Sequence, residues 1–335
     1  MDATLVTGGA GFVGLNLTEA LLARGGHVVV FGREAALPGA APARFARLPG
    51  RLEVIAGDVN DASALRAVFA GRRIGAVFPF AAVTAGPERE AADPHGVLDV
   101  NLHGLIRTLE AARDAGTVRR VVLPASAAVY GESAYSHAVL DEATTPAVPV
   151  SLYGVTKYAV ERAGLRLCAH WGLDAVAARI GACFGPWERD TGLRDTLSPH
   201  LALATAARAG REAVLPPGLR LSYDWVYVRD LVAGLLALLD APAPPHRVVN
   251  LASGEDFAPR LDACLGVLAA RFRGFRWRDA AAGEAATIRV SEARPRGVMA
   301  IARAAAFGWR PRFAPVAAYE DYVGWLLASA DQGLG

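Results

Sequence analysis

Residues 4–14 read TLVTGGAGFVG, and this stretch decides the fold. Residues 4–7 have the apolar, β-branched character of a buried strand, and apolar residues at 17, 21 and 22 then recur at helical spacing. Gly8, Gly11 and Gly14 permit a tight turn, a close approach of backbone to a pyrophosphate, and close packing of helix on strand. The pattern predicts a strand, a glycine turn and a helix whose N-terminus binds a dinucleotide.

Short β-branched runs alternate with helical stretches through about residue 180, which is typical of a parallel sheet with crossover helices. We therefore predict an α/β fold, a Rossmann-type doubly wound parallel sheet in residues 1–180, joined by a later segment at about 222–255. Residues 181–335 are mainly assigned to a smaller α/β substrate-binding lobe. The predicted strands are residues 4–7, 27–31, 52–56, 76–78, 121–124, 175–179 and 248–251; helices are expected at 152–171, at 231–239 after an Asp230 cap, and from Pro94 after an Asp93 cap.

The bulk composition favours a protein that binds small molecules. The formal net charge of +2 suggests neither a nucleic-acid nor a membrane partner, and we interpret the arginine-rich stretch 289–312 as solvated surface. The three cysteines lack the spacing of a disulfide framework or a metal site. With no basic leader and no membrane-length apolar run, the sequence predicts a cytoplasmic protein.

A second motif carries candidate catalytic groups. Tyr153 and Lys157 are four residues apart and therefore share one face of the predicted helix. A neighbouring ammonium favours the phenolate, so Tyr153 is the candidate base. Ser126 follows the strand 121–124 and is expected at the carboxyl edge of the sheet, where ligands bind in open α/β folds. Together these groups predict catalysis of hydride transfer to or from a hydroxyl-bearing carbon.

The glycine turn, residues 125–131 (ASAAVYG) and residues 153–157 (YGVTK) resemble the motifs of extended short-chain dehydrogenases, the NAD(P)-dependent epimerase/dehydratase family. The resemblance covers most of residues 1–255. It implies that Ser126 holds the reacting substrate oxygen and that Lys157 also binds the nicotinamide ribose. The further cofactor-binding residues that it implies are Phe12 and Val13 in the turn, Asp58 and Val59 at the adenine, Ala81 and Ala82, and Asn101, which corresponds to the family's structural asparagine.

The choice between the two nicotinamide cofactors depends on the end of the second strand. An acidic residue there would bind the ribose hydroxyls of NAD, but the position holds Gly32. Arg33 follows and is a candidate partner for the extra phosphate of NADP. We therefore expect NADP or NAD, with NADP preferred.

The substrate is predicted to be a carbohydrate. Ala127 and Ala128 stand where family dehydratases have an Asp-Glu pair, which argues against sugar dehydration. Ala182 and Tyr223 replace an asparagine and an arginine usual in members that act on nucleotide sugars, and the stretch ending at Cys183 resembles uronate dehydrogenases. Arg189 and Arg194 are candidate partners for a substrate carboxylate, and Thr84 and Cys183 are further candidate substrate contacts.

The leading hypothesis is accordingly a sugar epimerase or a dehydrogenase of sugars or sugar acids that uses Ser126, Tyr153 and Lys157. The alternatives are a nucleotide-sugar 4-epimerase and a non-catalytic regulator that senses NADP. The regulator would be expected to lack the tyrosine or the lysine. The resemblance also implies a homodimer formed through the two long helices that begin near Pro94 and Leu152.

Overall fold

A computed structural model describes residues 2–195, 197–290 and 294–330. Seven parallel strands form one sheet in the order β3-β2-β1-β4-β5-β7-β11, which confirms the predicted doubly wound α/β fold. Every predicted strand is present, and each of its ends lies within two residues of the predicted position. The strands of this sheet are β1 Ala3–Thr7, β2 His27–Gly32, β3 Arg51–Ala56, β4 Ile74–Pro79, β5 Arg120–Ser126, β7 Ala175–Ile180 and β11 Val248–Leu251.

Helices cover both faces of the sheet because alternate residues of each strand point to opposite faces. Val6 and Val30 pack against helices on one face, whereas Leu5 and Val29 belong to the core on the other. The helices of the first face are α1 Phe12–Ala23 and α9 Val228–Asp240, and those of the second are α3 Ala62–Phe69, α6 Gly104–Ala115 and α7 Leu152–His170.

The order of the strands places a crevice beside β1. The chain builds β1, β2 and β3 in one direction and then returns to β4 on the other side of β1. The loops that leave β1 and β4 therefore diverge at their carboxyl ends, which is where ligands bind in folds of this kind.

The smaller lobe contains short parallel strand pairs and an aromatic core. Phe184, Phe257, Tyr319 and Tyr322 are buried together in this core. The strand pairs are β8 Ala182–Phe184 with β10 Trp225–Tyr227, β9 Glu212–Leu215 with β12 Arg276–Asp279, and β6 Val139–Leu140 with β13 Val298–Met299. The remaining helices are α2 Ala41–Phe45, α4 Pro87–Ala92, α5 Pro94–Leu98, α8 Pro199–Arg208, α10 Leu261–Arg271, α11 Ala302–Ala305 and α12 Pro315–Ala330.

The two predicted helix caps have different outcomes. The Asp93 carboxylate accepts a hydrogen bond from the Gly96 amide at the start of α5, which confirms that cap. The predicted Asp230 cap is wrong, because α9 begins at Val228 and Asp230 lies inside its first turn. The Asp230 carboxylate accepts instead from the amides of Arg312 and Phe313, at 2.9 and 3.0 Å, and so joins α9 to the C-terminal segment.

Two further features concern the helices. A π-helical turn, Asp99–His103, connects α5 to α6 without a break in the chain of helices. Within the described ranges, no helix combines the length and the apolar character that crossing a membrane requires.

Candidate active site

A cavity of about 510 Å³ opens at the carboxyl ends of β1, β4 and β5. It extends from the glycine turn to the smaller lobe. Among the predicted site residues, only Asn101 does not line it. Those that do are Gly8, Gly11, Phe12, Val13, Gly14, Arg33, Asp58, Val59, Ala81, Ala82, Thr84, Ser126, Tyr153, Lys157, Cys183, Arg189 and Arg194.

The glycine turn has no room for side chains. Gly8 adopts a φ of 65°, and a Cβ there would lie 2.7 Å from the Ala81 Cα. A Cβ on Gly14 would lie 2.5 Å from the Gly8 carbonyl oxygen, so α1 packs directly on the turn. Gly11, the N-cap residue of α1, has no side chain to cap the helix, so the first amide groups of α1 are left for another acceptor. The turn therefore fits the pyrophosphate of a dinucleotide.

An acidic residue that the sequence interpretation missed lies at the end of β2. Glu34 lines the cavity together with Gly32 and Arg33. Its Oε2 would lie 3.5 Å from a Cβ built on Gly32, so the carboxylate folds back over the strand end. The sequence does show this acidic residue, but two positions after Gly32, where the motif normally has the acidic residue.

Tyr153, Ser126 and Thr84 meet at the other end of the cavity. Ser151 caps α7 by accepting a hydrogen bond from the Gly154 amide, and this fixes the first turn, which carries Tyr153. The Tyr153 hydroxyl is within hydrogen-bonding reach of the Ser126 and Thr84 side chains. The Lys157 Nζ lies 5.6 Å from the centre of the Tyr153 ring, one helical turn further on.

Burial opposes the charged forms of both candidate catalytic groups, Tyr153 and Lys157. It raises the pKa of the Tyr153 phenol, although hydrogen bonds from Ser126 and Thr84 and the charge of Arg194 act in the opposite direction. It also lowers the pKa of Lys157 from its ordinary value of 10.5 to about 8. Among the described residues, Lys157 has no carboxylate partner that would offset this effect. The phenolate and the ammonium are therefore most favourable when they form together.

Replacing Lys157 with methionine should stabilise the protein without ligands at pH 7, by roughly 3 kcal/mol if the whole pKa shift is expressed. The folded protein disfavours the Lys157 ammonium. The resulting loss of folding free energy is fully present below pH 8 and disappears as the pH rises towards 10.5. Urea denaturation of both proteins between pH 7 and pH 10 measures the difference. An advantage of the variant that is equal at all pH values would contradict the assignment.

The cavity loop, residues 185–195, places Arg189 and Arg194 in different parts of the cavity. Arg194 donates from Nη1 to the fully buried Glu188 carboxylate at 2.9 Å, and its charge acts on Tyr153. Arg189 donates from Nη2 to the Ala10 carbonyl oxygen in the glycine turn, also at 2.9 Å. The sequence suggested both arginines as partners of a substrate carboxylate, but the two side chains contact different groups.

Backbone and ionic contacts hold the cavity loop against the loop that follows β4. The Thr84 amide donates to the Leu193 carbonyl at 2.8 Å, and the Asp195 amide donates to the Thr84 carbonyl at 3.1 Å. Arg89 forms an ion pair with Asp195 at 2.7 Å. These contacts fix Thr84 beside Tyr153.

The smaller lobe contributes a cation that the sequence interpretation missed. Arg296 lines the cavity and donates from Nη1 to the Tyr223 hydroxyl at 2.9 Å. Tyr223 in turn stacks on Trp225 with ring centres 5.1 Å apart. The interpretation of 289–312 as solvated surface is therefore wrong for Arg296; residues 291–293 of that stretch lie outside the described residues.

Asn101 does not contact the cavity. Its Oδ1 accepts from the Val83 amide at 2.7 Å, and its Nδ2 donates to the Val83 carbonyl and to the Thr156 hydroxyl, both at 3.0 Å. This position does not agree with the prediction that Asn101 is one of the cofactor-binding residues. Asn101 instead joins the loop after β4 to α7, which aligns Thr84 with Tyr153.

Cys183 lines the cavity as an uncharged thiol. Burial raises the pKa of the Cys183 thiol to about 12, so Cys183 is a neutral wall of the cavity near pH 7. Within residues 2–195, 197–290 and 294–330, no group of three or more His, Cys, Asp or Glu side chains is arranged to hold a metal ion.

Fold and cavity together define a Rossmann-type protein with a dinucleotide cradle next to a Ser-Tyr-Lys cluster. The family model described as "NAD dependent epimerase/dehydratase family" matches residues 4–252. The chain belongs to this family, as its sequence motifs predict.

Its relatives include enzymes of sugar metabolism. A UDP-glucose 4-epimerase of Streptomyces lividans is 33% identical over 268 residues, which cover 76% of this chain and 77% of the relative. The solved structure of a Thermus thermophilus UDP-glucose 4-epimerase with NAD is 26% identical, with a TM-score of 0.74 and coverage of 97% of this chain and 99% of that one. The solved structure of a Thermotoga maritima UDP-glucose 4-epimerase with UDP-glucose has a TM-score of 0.80 at 20% identity. The match covers 98% of this chain and 99% of that chain, and it supports the fold.

Proposed function

We propose that the protein is an NAD-dependent epimerase that inverts a hydroxyl-bearing carbon of a nucleotide sugar, with UDP-glucose and its 4-epimer as the first candidates. The observation that carries this proposal is the meeting of Tyr153, Ser126 and Thr84 in a cavity that continues to the glycine turn. The UDP-glucose 4-epimerases among the relatives support the substrate class.

Each residue of the cluster has a definite task in this reaction. NAD held at the glycine turn would supply reversible hydride transfer at the reacting carbon. Tyr153 accepts the proton of the sugar hydroxyl and returns it at the end. Ser126 and Thr84 hold the sugar oxygen by hydrogen bonds. The Lys157 ammonium stabilises the Tyr153 phenolate through the low-dielectric site.

Epimerisation also requires that the oxidised sugar present its other face before the hydride returns. Four small residues, Ala127, Ala128, Gly181 and Ala182, line the cavity in the segments that follow β5 and β7. Their size leaves room for a planar ketone to rotate. The same small residues offer no acid–base pair for the removal of water, so elimination is disfavoured.

Arg296 supports a nucleotide sugar over a free sugar acid. Ala182 and Tyr223 replace two expected contacts to the diphosphate, but Tyr223 holds the Arg296 guanidinium at the cavity wall. A guanidinium is a suitable partner for phosphate oxygens. The second candidate, a sugar-acid dehydrogenase, is favoured by Arg194, whose charge lies close enough to Tyr153 to meet a carboxylate near the reacting carbon.

Glu34 changes the preferred cofactor from NADP to NAD. Gly32 and Arg33 alone favour NADP, but the Glu34 carboxylate covers the end of β2 and lines the same part of the cavity. A carboxylate accepts hydrogen bonds from ribose hydroxyls and repels a phosphate attached there. We therefore propose NAD as the cofactor.

The function can be tested with the protein loaded separately with NAD and with NADP. Each form is incubated with UDP-glucose, UDP-glucuronic acid and free glucuronic acid, and products are identified by NMR. We expect conversion of a nucleotide sugar to its epimer with NAD and no net accumulation of reduced nicotinamide. Stoichiometric reduction of NAD by the free acid would establish a dehydrogenase instead, inactivity on every sugar would favour a regulator, and faster turnover with NADP would overturn the cofactor preference.

A further inference from the structure

Arg189 reaches from the cavity loop across to the glycine turn. Its Nη2 donates to the carbonyl oxygen of Ala10, which lies between the glycines at positions 9 and 11. The same guanidinium lines the cavity. A residue of the loop that follows β8 is thus placed at the N-terminus of α1.

The Nη1 nitrogen of this guanidinium differs from Nη2 in its surroundings. Nη1 of Arg189 is buried and forms no hydrogen bond with any residue that the structure describes. Burial lowers the pKa of Arg189, and the charge of Glu34 only partly offsets this effect from a distance. Arg189 as a whole is half-buried, but its Nη1 is buried without a partner, which is costly, and an anion in the cavity would remove that cost.

The position of Arg189 identifies the kind of anion. The uncapped amides at the start of α1 face the same region, and amides of this kind together with a guanidinium suit the two charged phosphates of a dinucleotide. We propose that Arg189 binds the cofactor pyrophosphate through Nη1 while Nη2 stays on the Ala10 carbonyl. This role rests on the proposed NAD dependence and replaces the substrate carboxylate that the sequence suggested for Arg189.

The proposed contact also explains how the protein would retain its cofactor. Glu188, next to Arg189, accepts hydrogen bonds from Arg194 and from the Ser198 amide and hydroxyl, and Asp195 pairs with Arg89. The cavity loop is therefore fastened to the start of α8 through Glu188 and to α4 through Asp195. An epimerase needs such retention because the reduced cofactor must return its hydride to the same sugar.

Binding titrations without any sugar test this proposal. The dinucleotide-free protein and its Arg189→Ala variant are titrated with NAD, ADP-ribose and adenosine. We expect the variant to bind NAD and ADP-ribose about 10- to 30-fold more weakly, as for the loss of one charge-assisted hydrogen bond, and adenosine equally well. Arg47→Ala, which removes an exposed arginine outside the cavity, should leave all three affinities unchanged.

Other outcomes would overturn the proposal. Unchanged NAD and ADP-ribose affinities would do so, and a raised KM for acidic sugars alone would restore the carboxylate role. An equal loss for adenosine would show that the cavity as a whole had changed. If Arg189→Ala does not fold, Arg189→Gln keeps a donor for Ala10 without the charge and should show the same selective loss. Since the titrations contain no sugar, they test the role of Arg189 even if the protein is not an epimerase.

Discussion

Replacing Tyr153 with phenylalanine should lower turnover of the sugar substrate by about 10²- to 10⁴-fold, the range for loss of a general acid–base group. The variant keeps the ring and loses only the hydroxyl that faces Ser126 and Thr84. The glycine turn is untouched, so the affinity for NAD should stay within about twofold of the original.

The matched control is Tyr158→Phe. Tyr158 lies on the same helix and does not line the cavity, so this variant makes the same chemical change outside the site. Its turnover should remain close to that of the unmodified protein. Steady-state rates and NAD titrations of both variants complete the test. A Tyr153→Phe enzyme with undiminished turnover would remove the phenol from the mechanism.

Replacing Gly14 with alanine should weaken NAD binding by more than about 100-fold and destabilise the fold by about 1–3 kcal/mol, the usual cost of overpacking. The added Cβ would lie 2.5 Å from the Gly8 carbonyl and 2.7 Å from the Gly9 Cα. Both are backbone atoms, so relief requires that α1 move away from the turn. That movement would displace the amides that we expect to bind the pyrophosphate.

Gly266→Ala is the control for the general effect of alanine in a helix. Gly266 lies in α10, and a Cβ there meets no atom within 4 Å. This variant should be stabilised by about 0.5–1 kcal/mol and should bind NAD normally. Calorimetric titration and thermal unfolding measure both effects. Normal NAD affinity in Gly14→Ala would contradict the proposed cradle.

The parts of the molecule that sequence predicted well are those set by local spacing. The turn at Gly8 follows a strand and precedes a helix, and these three neighbours lie within one short segment. Tyr153 and Lys157 share a helix face because they are one turn apart. Such features need no knowledge of distant contacts, so the sheet and the proximity of Tyr153 to Lys157 could be predicted from the sequence.

The parts that sequence predicted poorly depend on contacts between distant segments. Arg189 and Arg194 are five residues apart, yet one reaches the glycine turn and the other the Glu188 carboxylate. Arg296 looked like surface because its partner, Tyr223, lies 73 positions away in the chain. Asp230 resembled a helix cap, but its carboxylate accepts hydrogen bonds from amides of the C-terminal segment.

Asn101 shows a different limit. The sequence identifies Asn101 as the family's structural asparagine. The residues next to it in the sequence do not reveal that its amide group forms hydrogen bonds with Val83 and Thr156. A sequence motif can therefore identify a required residue and still leave open whether that residue touches the ligand or aligns others that do.

The pairing of β6 with β13 has a consequence for the order in which the protein matures on the ribosome. Val139 pairs with Val298, and Leu140 with Met299, across a separation of roughly 160 residues, which makes this a late contact in folding. Arg296 lies two residues before β13 and is held by backbone contacts with Ser222 and by the hydrogen bond from its side chain to Tyr223. The glycine turn is translated near the start of the chain, whereas the cavity wall that contains Arg296 is incomplete until β13 has been translated. We therefore expect the smaller-lobe side of the cavity to form after the glycine turn.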